Sequence, residues 1–374
     1  MENEALKKWK TWAIISTCLL VLVSTLYGLG VGWKNQESVP EVAEQNEAEE
    51  EISFLQLWND DAKAKQELEA YIRAVTDENS ADFIPVKDRI AVFDLDGTLF
   101  CETDPVYFDY QLLLRRVLED PDYKDQATDF ERETAAKVLD QIETGSGAKG
   151  LEVDHGKCIA SSFKGMTIRQ FNDYIQKFKN EPAPGYNNMN RGDAFYLPMV
   201  EILDYLQDND FTVYIVSGTD RLIVRGIVDG ISFLNIPNNN IIGSDELITT
   251  RAQGDTDGLD YVFQDDDELI LAGDFIIKNL KMNKVSVIAQ EIGVQPVLSF
   301  GNSTGDSSMA KYTVSNNRYK ALAFMLCCDD TVRENGDEAK AQKMYDLCAE
   351  NGWIPISMKN DWKTIYGDEV TRKN

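Results

Sequence analysis

Histidine is nearly absent: His155 is the only one in 374 residues. A single imidazole excludes multi-histidine metal centres, and Ser–His–Asp chemistry would have to use this one residue, in "VDHGKC". Cysteine is sparse as well. Cys18 lies inside an apolar run, and Cys101, Cys158, Cys327, Cys328 and Cys348 remain. An odd number cannot all pair, and no CxxC or Cys/His spacing marks a zinc site. Mostly free thiols are therefore expected, with Cys328–Cys348 the one bridge considered. Basic runs are missing beyond Lys7, Lys8 and Lys10. With 37 Lys and Arg against 64 Asp and Glu, the formal charge is −27, which excludes nucleic acid as a partner because phosphate backbones need a basic face. The same charge imposes a condition on any anionic ligand: its site must supply local positive charge from a metal or a lysine.

One long apolar run is present, "TWAIISTCLLVLVSTLYGLGVGW", Thr11 to Trp33, uncharged and long enough to span a bilayer as a helix. Lysines precede it, and Glu37, Glu41 and Glu44 follow. The positive-inside rule then predicts a cytoplasmic tail over 1–11, a single-pass anchor over 12–33 and an extracytoplasmic remainder at the cell membrane. A cleaved signal peptide, giving a secreted protein, is the competing reading. Residues 34–51 are acidic, poor in aromatics and read as a solvated linker.

Apolar spacing predicts an amphipathic helix within Ile52–Asn79 and a buried strand at "RIAVFDL". Residues 104–193 read as a small helical module made of "VYFDYQLLLRRVLED", "DFERETAAKVLDQIE" and "TIRQFNDYIQKFKN". Beyond Pro198 helices alternate with strands at "FTVYIVSG", "NIIGS", "PVLSFG", "YKALAFMLCC" and "IPISM", with a hairpin expected in "GLDYVFQDDDELILAGDF". This alternation predicts an α/β fold, a Rossmann-like, doubly wound and mostly parallel sheet covered on both faces. Its core is expected over 52–103 and 194–374, with the helical segment inserted after the first strand as a cap.

Ligands of open α/β sheets collect at the carboxyl ends of strands. Three strands end in chemistry here: "RIAVFDLDGTL" in Asp94 and Asp96, "FTVYIVSGT" in Ser217, Gly218 and Thr219, and "PVLSFGNSTGD" in a loop of small residues carrying Asn302 and Asp306. A carboxylate pair beside hydroxyls and spare backbone N–H groups suits a hard divalent cation, which in turn suits a phosphate.

Asp94-Leu95-Asp96-Gly97-Thr98 resembles the first motif of the haloacid dehalogenase superfamily of phosphatases. Ser217 resembles its second motif, Lys284 at the head of "KVSVIAQEIG" its third, and "GNSTGD" its fourth. The insertion resembles the helical cap of the phosphoserine phosphatase-like branch, and "FKGMT" with "GWIPISMKNDW" is most similar to phosphorylcholine phosphatase-type members. The resemblance implies Mg2+-dependent hydrolysis of a small phosphomonoester through an aspartyl-phosphate. Asp94 would be nucleophile, Asp96 general acid and base, Ser217 a phosphate donor and Lys284 the fixed positive charge, with Lys278 and Lys281 as alternatives on the same approach. Gly97, Thr98, Gly218 and Thr219 would border the phosphate, and Asp94, Asp96, Asn302 and Asp306 would hold Mg2+. Since Asn302 stands where the family commonly has aspartate, Asp306 is expected to carry the loop's negative charge towards the metal. Asp306→Asn should then weaken Mg2+ dependence more than Asn302→Ala.

Glu102 is either a carboxylate facing a substrate amine or an exposed side chain. Phe163 and Met166, with Tyr107 and Phe108, form either an aromatic wall for a quaternary ammonium group or ordinary cap core. "DTDG" at Asp255–Gly258 lacks the downstream glutamate of a calcium loop and reads as a solvated turn. Two further functional readings compete with hydrolysis: phosphotransfer to an alcohol, and a catalytically retired surface binding module.

Overall fold

The run Ile90–Phe93 forms a strand, β1, buried at all four positions, as a parallel strand covered on both faces must be. It belongs to a computed structural model that describes residues 54–373. The expected tail, membrane anchor and acidic linker, with Cys18, lie outside the described residues. Among those described, no helix is long and apolar enough to cross a membrane.

Six more strands join β1: β2 (Thr212–Asp220), β3 (Ile241–Thr250), β4 (Leu269–Ile277), β5 (Leu298–Gly301), β6 (Leu322–Cys327) and β7 (Ile354–Ser357). Their order is β4-β3-β2-β1-β5-β6-β7, parallel throughout except for the antiparallel pair β3–β4. From β1 the chain works outward through β2 and β3, then returns to lay β5, β6 and β7 on the other side. Between β1 and β5 the winding therefore reverses, and the crevice that such a reversal opens lies at the carboxyl ends of those two strands. Phe93, Phe300 and Phe324 stack across β1, β5 and β6, with centroids 4.2 and 4.9 Å apart. Each stack contributes about 0.5–1.5 kcal/mol beyond its buried area, and together they fix the level at which Asp94 and the Asn302 loop emerge.

The amphipathic helix near the start is shorter than expected. α1 (Lys63–Thr76) buries Leu68, Tyr71, Ile72 and Val75, whereas Trp58 sits in the preceding loop, edge-on to Trp362. The insertion between β1 and β2 contains α2 (Phe108–Leu114), α3 (Asp129–Thr144), α4 (Leu151–Ser162) and α5 (Ile168–Lys179). Capping boxes at Thr128/Glu131 and Thr167/Gln170 start α3 and α5. The fourth helix, α4, was not expected: its mixed sequence "LEVDHGKCIASS" carries a glycine and little periodicity. Gly156 is required there because a Cβ would lie 2.6 Å from the Phe275 ring of β4.

The expected hairpin is misplaced. Residues Leu259, Val262 and Phe263 are exposed loop, and β4 pairs with β3 instead, from Thr250↔Leu269 to Asp245↔Ile277. The apolar flank before the acidic turn has no strand to pair with, so its β-propensity is not realised. All five described cysteines are free, Cys328 and Cys348 included.

Candidate active site

Directly after β1, Asp94 donates its backbone N–H to the Phe300 carbonyl of β5 at 2.9 Å. The chain then turns sharply, and Gly97 takes φ +72°, where a Cβ would lie 1.8 Å from the Asn302 amide nitrogen. Only glycine lets the two strand-end loops approach this closely. α8 (Met282–Val287) brings Lys284 between those loops, wholly buried, with Nζ 2.6 Å from Asp94 Oδ1 and 2.7 Å from Asp306 Oδ1. Burial lowers the pKa of this ammonium, but the charges of Asp306 and Asp94 outweigh burial and the net shift is upward. Of the three lysines considered, Lys284 makes the contact with Asp94. Lys278 reaches the cavity wall, and Lys281 immediately precedes α8, at φ +54°.

A cavity of about 80 Å³ lies over these groups, with Asp94, Asp96, Asn302, Ser303, Asp306 and Thr219 among the core residues lining it. The cap closes it with Tyr107, Asp109, Tyr110 and Glu152. Asp94 is pushed up to about 7 by burial and by the Asp306 charge, with Lys284 pulling the other way. Asp96 is raised well above the carboxylate range by burial, then by the charges of Asp109 and Asp94. An upward shift favours the proton-bearing form of the carboxyl, the direction a general acid needs. The Thr219 hydroxyl stands 2.7 Å from Asp96 Oδ2 and 3.3 Å from Asp109 Oδ2, linking the core acid to the cap.

Several expected site residues are placed differently. Ser217 is fully buried, and its Oγ accepts the Thr219 N–H at 3.0 Å, so it underpins the turn while Gly218 and Thr219 face the cavity. Thr98 is buried with its hydroxyl unpartnered. Glu102 lines the cavity and accepts from Asn302 Nδ2 at 3.0 Å. Burial pushes it up to about 7 against that bond. Phe163 and Met166 do not reach the site. Phe163 packs in the cap against Phe171 and Tyr174, and Met166 hydrogen-bonds through its carbonyl to the Leu271 N–H of β4. Phe108 is likewise core, packed on Phe100 and Phe178, and of that group Tyr107 alone lines the cavity.

The loop after β5 engages Asp306 internally. Its Oδ1 accepts from Lys284, and its Oδ2 accepts from the Asn302 N–H, the Ser303 N–H and the Ser303 hydroxyl. Oδ2 thus organises the loop while Oδ1 meets the lysine. Asn302 Oδ1, by contrast, is buried without a partner, and a neutral amide oxygen left bare beside Asp94 is a fitting ligand for a hard cation.

Sequence reasoning missed Asp109, Tyr110, Glu152 and a buried carboxylate behind the site. Glu334 is fully buried and accepts from Thr103 Oγ1 at 2.6 Å, from the Asn335 N–H at 2.7 Å and from the phenols of Tyr186 and Tyr366. It thereby clasps the segments that leave for and return from the cap. The signal for Asp109 was available, since one carboxylate interrupts an aromatic and leucine run in "VYFDYQLLL". Glu334 carried none, because "TVREN" reads as a surface loop.

No family model and no curated protein matches the chain. Solved structures do resemble it. A conserved protein of unknown function from Anaerococcus prevotii is 15% identical over 79% of this chain and 91% of its own, with TM-score 0.47. A cytosolic 5'-nucleotidase IIIB bound to cytidine is 13% identical over 80% and 88%, with TM-score 0.47. A phosphoserine phosphohydrolase-like protein from Francisella tularensis is 14% identical over 71% and 94%, with TM-score 0.37. Every one of these scores lies below 0.5, so the functional reading rests on the residues themselves.

Proposed function

We propose that the protein hydrolyses phosphomonoesters through a phosphorylated Asp94, with Mg2+ as cofactor. The observation that carries this reading is the buried Lys284 ammonium shared by Asp94 and Asp306 at the mouth of the β1/β5 crevice, beside a second aspartate, Asp96, whose Oδ2 lies 2.7 Å from the Thr219 hydroxyl. The Asp94 carboxylate forms a bond to phosphorus as the ester P–O bond breaks, and Asp96 gives its proton to the departing alkoxide. Asp96 then takes a proton from water as that water attacks phosphorus, releasing phosphate and restoring Asp94. Lys284 holds fixed positive charge against Asp94 throughout, and the backbone N–H groups of the strand-end loops face the phosphoryl oxygens. The Asp94 carboxylate, the Asp96 main-chain carbonyl and Asn302 Oδ1 would hold Mg2+, which when bound neutralises phosphate charge in this strongly acidic protein.

The leaving group emerges beneath Tyr107, Asp109, Tyr110 and Glu152. Asp109 Oδ1 is buried there without a partner, so carboxylates and aromatic faces together favour an amine or quaternary ammonium, as in phosphorylcholine. The proposed extracytoplasmic location rests on the apolar run Thr11–Trp33 alone. Phosphate release from a panel of phosphomonoesters, with and without Mg2+, tests the reading against Asp94→Asn. Wild-type turnover that requires Mg2+ and disappears in the variant is expected, and activity surviving Asp94→Asn would overturn the mechanism.

A further inference from the structure

A second cavity, of about 360 Å³, adjoins the first, and Glu102, Tyr107, Asn302 and Ser303 line both. The two are separated by the Glu102–Asn302 hydrogen bond. We infer that this second cavity receives leaving groups too long for the cap wall alone, so that beside small amine-bearing esters the protein also takes phosphomonoesters carrying an apolar chain or ring with an anionic far end. The inference rests on the phosphatase reading above and extends it.

Size is the first reason. A single water needs roughly 10–15 Å³ on this measure, so 80 Å³ accommodates a phosphoryl group and a few further atoms. An amine close to the phosphate still meets the cap wall, but anything longer must continue past Tyr107 and Glu102. The second reason is the lining. α10 (Glu338–Asn351) presents Lys340, Lys343, Met344 and Leu347 to the cavity, the i, i+3, i+4, i+7 spacing that puts side chains on one helix face. Leu326 and Cys328, at the end of β6 and just after it, complete the apolar side. The third reason is charge. In a chain of net charge −27, Lys340 and Lys343 both line this one cavity. Asp337, also on the rim, caps the helix through Oδ1, and its Oδ2 lies 4.0 Å from Lys340 Nζ, which leaves Lys343 as the cavity cation outside that pair.

The test uses the protein with ethyl, butyl and hexyl phosphate and with 6-phosphohexanoate, alongside calorimetry with ethyl- and hexylphosphonate, which cannot be hydrolysed. Burial of the chain predicts that kcat/KM rises about fourfold per added methylene, with parallel tightening of phosphonate binding. In Leu347→Trp, which fills the cavity, that gain should vanish while ethyl phosphate turnover is unchanged. In Lys340→Gln/Lys343→Gln the preference for the ω-carboxylate should vanish alone. A flat dependence on chain length, or a gain that persists in Leu347→Trp, overturns the assignment. Absence of turnover with length-dependent phosphonate binding overturns the phosphatase reading instead and upholds the second cavity as a ligand site.

Discussion

The Lys284 ammonium lies 2.6 Å from Asp94 Oδ1 although 190 residues separate the two in sequence, and neither reaches bulk solvent freely. A buried cation between two carboxylates cannot be removed without consequence, because the remaining charges lose their compensation in a medium that screens poorly.

Lys284→Met should therefore lower kcat by at least 100-fold, in line with loss of a fixed charge at a reacting centre, and cost about 3–5 kcal/mol of stability. Adding Asp306→Asn should return part of the stability and none of the activity. Urea unfolding and steady-state rates on both variants check this. A single variant as stable as the wild type would show that the ion pair is not what holds the loop.

Asn302 and Asp306 should separate by phenotype. With Asn302 Oδ1 unpartnered and both Asp306 oxygens engaged, Asn302→Ala is expected to raise the Mg2+ concentration for half-maximal activity about tenfold or more. Asp306→Asn should mainly lower the melting temperature. Magnesium titrations of activity, paired with thermal melts, distinguish them. The opposite pattern would return Asp306 to the metal.

His155 gives a pH signature independent of catalysis. It is buried, its Nε2 lies 3.1 Å from the Asp109 carbonyl, and burial pushes it down to about 4 against the pull of Asp109. The unfolded chain binds this proton near 6.5 and the folded chain does not. The resulting stability is complete above pH 6.5, declines as pH falls and levels off below about 4. The raised carboxylates of the site act in the opposite sense, so the informative quantity is the difference from His155→Gln. That difference should shrink by roughly 3 kcal/mol between pH 7 and 4, measured by denaturant unfolding. A constant difference would show that the imidazole titrates normally.

The parallel sheet was legible because β1, β2 and β5 are short apolar runs ending abruptly in small and acidic residues, a pattern set by burial on both faces and a turn at one end. Asp94, Asp96 and the Asn302 loop could be placed for the same reason. What the side chains do within that frame depended on partners no spacing reveals. Spacing could not show that Asp306 is engaged by Lys284 and its own loop, or that Asn302 meets Glu102 through nitrogen and leaves its oxygen without a partner. Phe163 belongs to the cap interior because Phe171 and Tyr174 surround it, and aromatic content alone does not distinguish a ligand wall from a core. Strand β4 was misread since its partner, β3, lies farther back in the chain than the apolar flank next to the acidic turn.

That strand has a mechanical consequence. At one end, Leu271 exchanges two main-chain hydrogen bonds with the cap, at Gly165 and Met166. Beyond the other end, Asn279 grips the Ser217 carbonyl and the Ser244 hydroxyl beside the phosphoryl site. A single span of extended chain thus ties the roof to the floor. A displacement of the cap at Gly165 and Met166 would therefore load the strand that leads to Asn279 and the Ser217 turn, so that roof and floor are mechanically coupled.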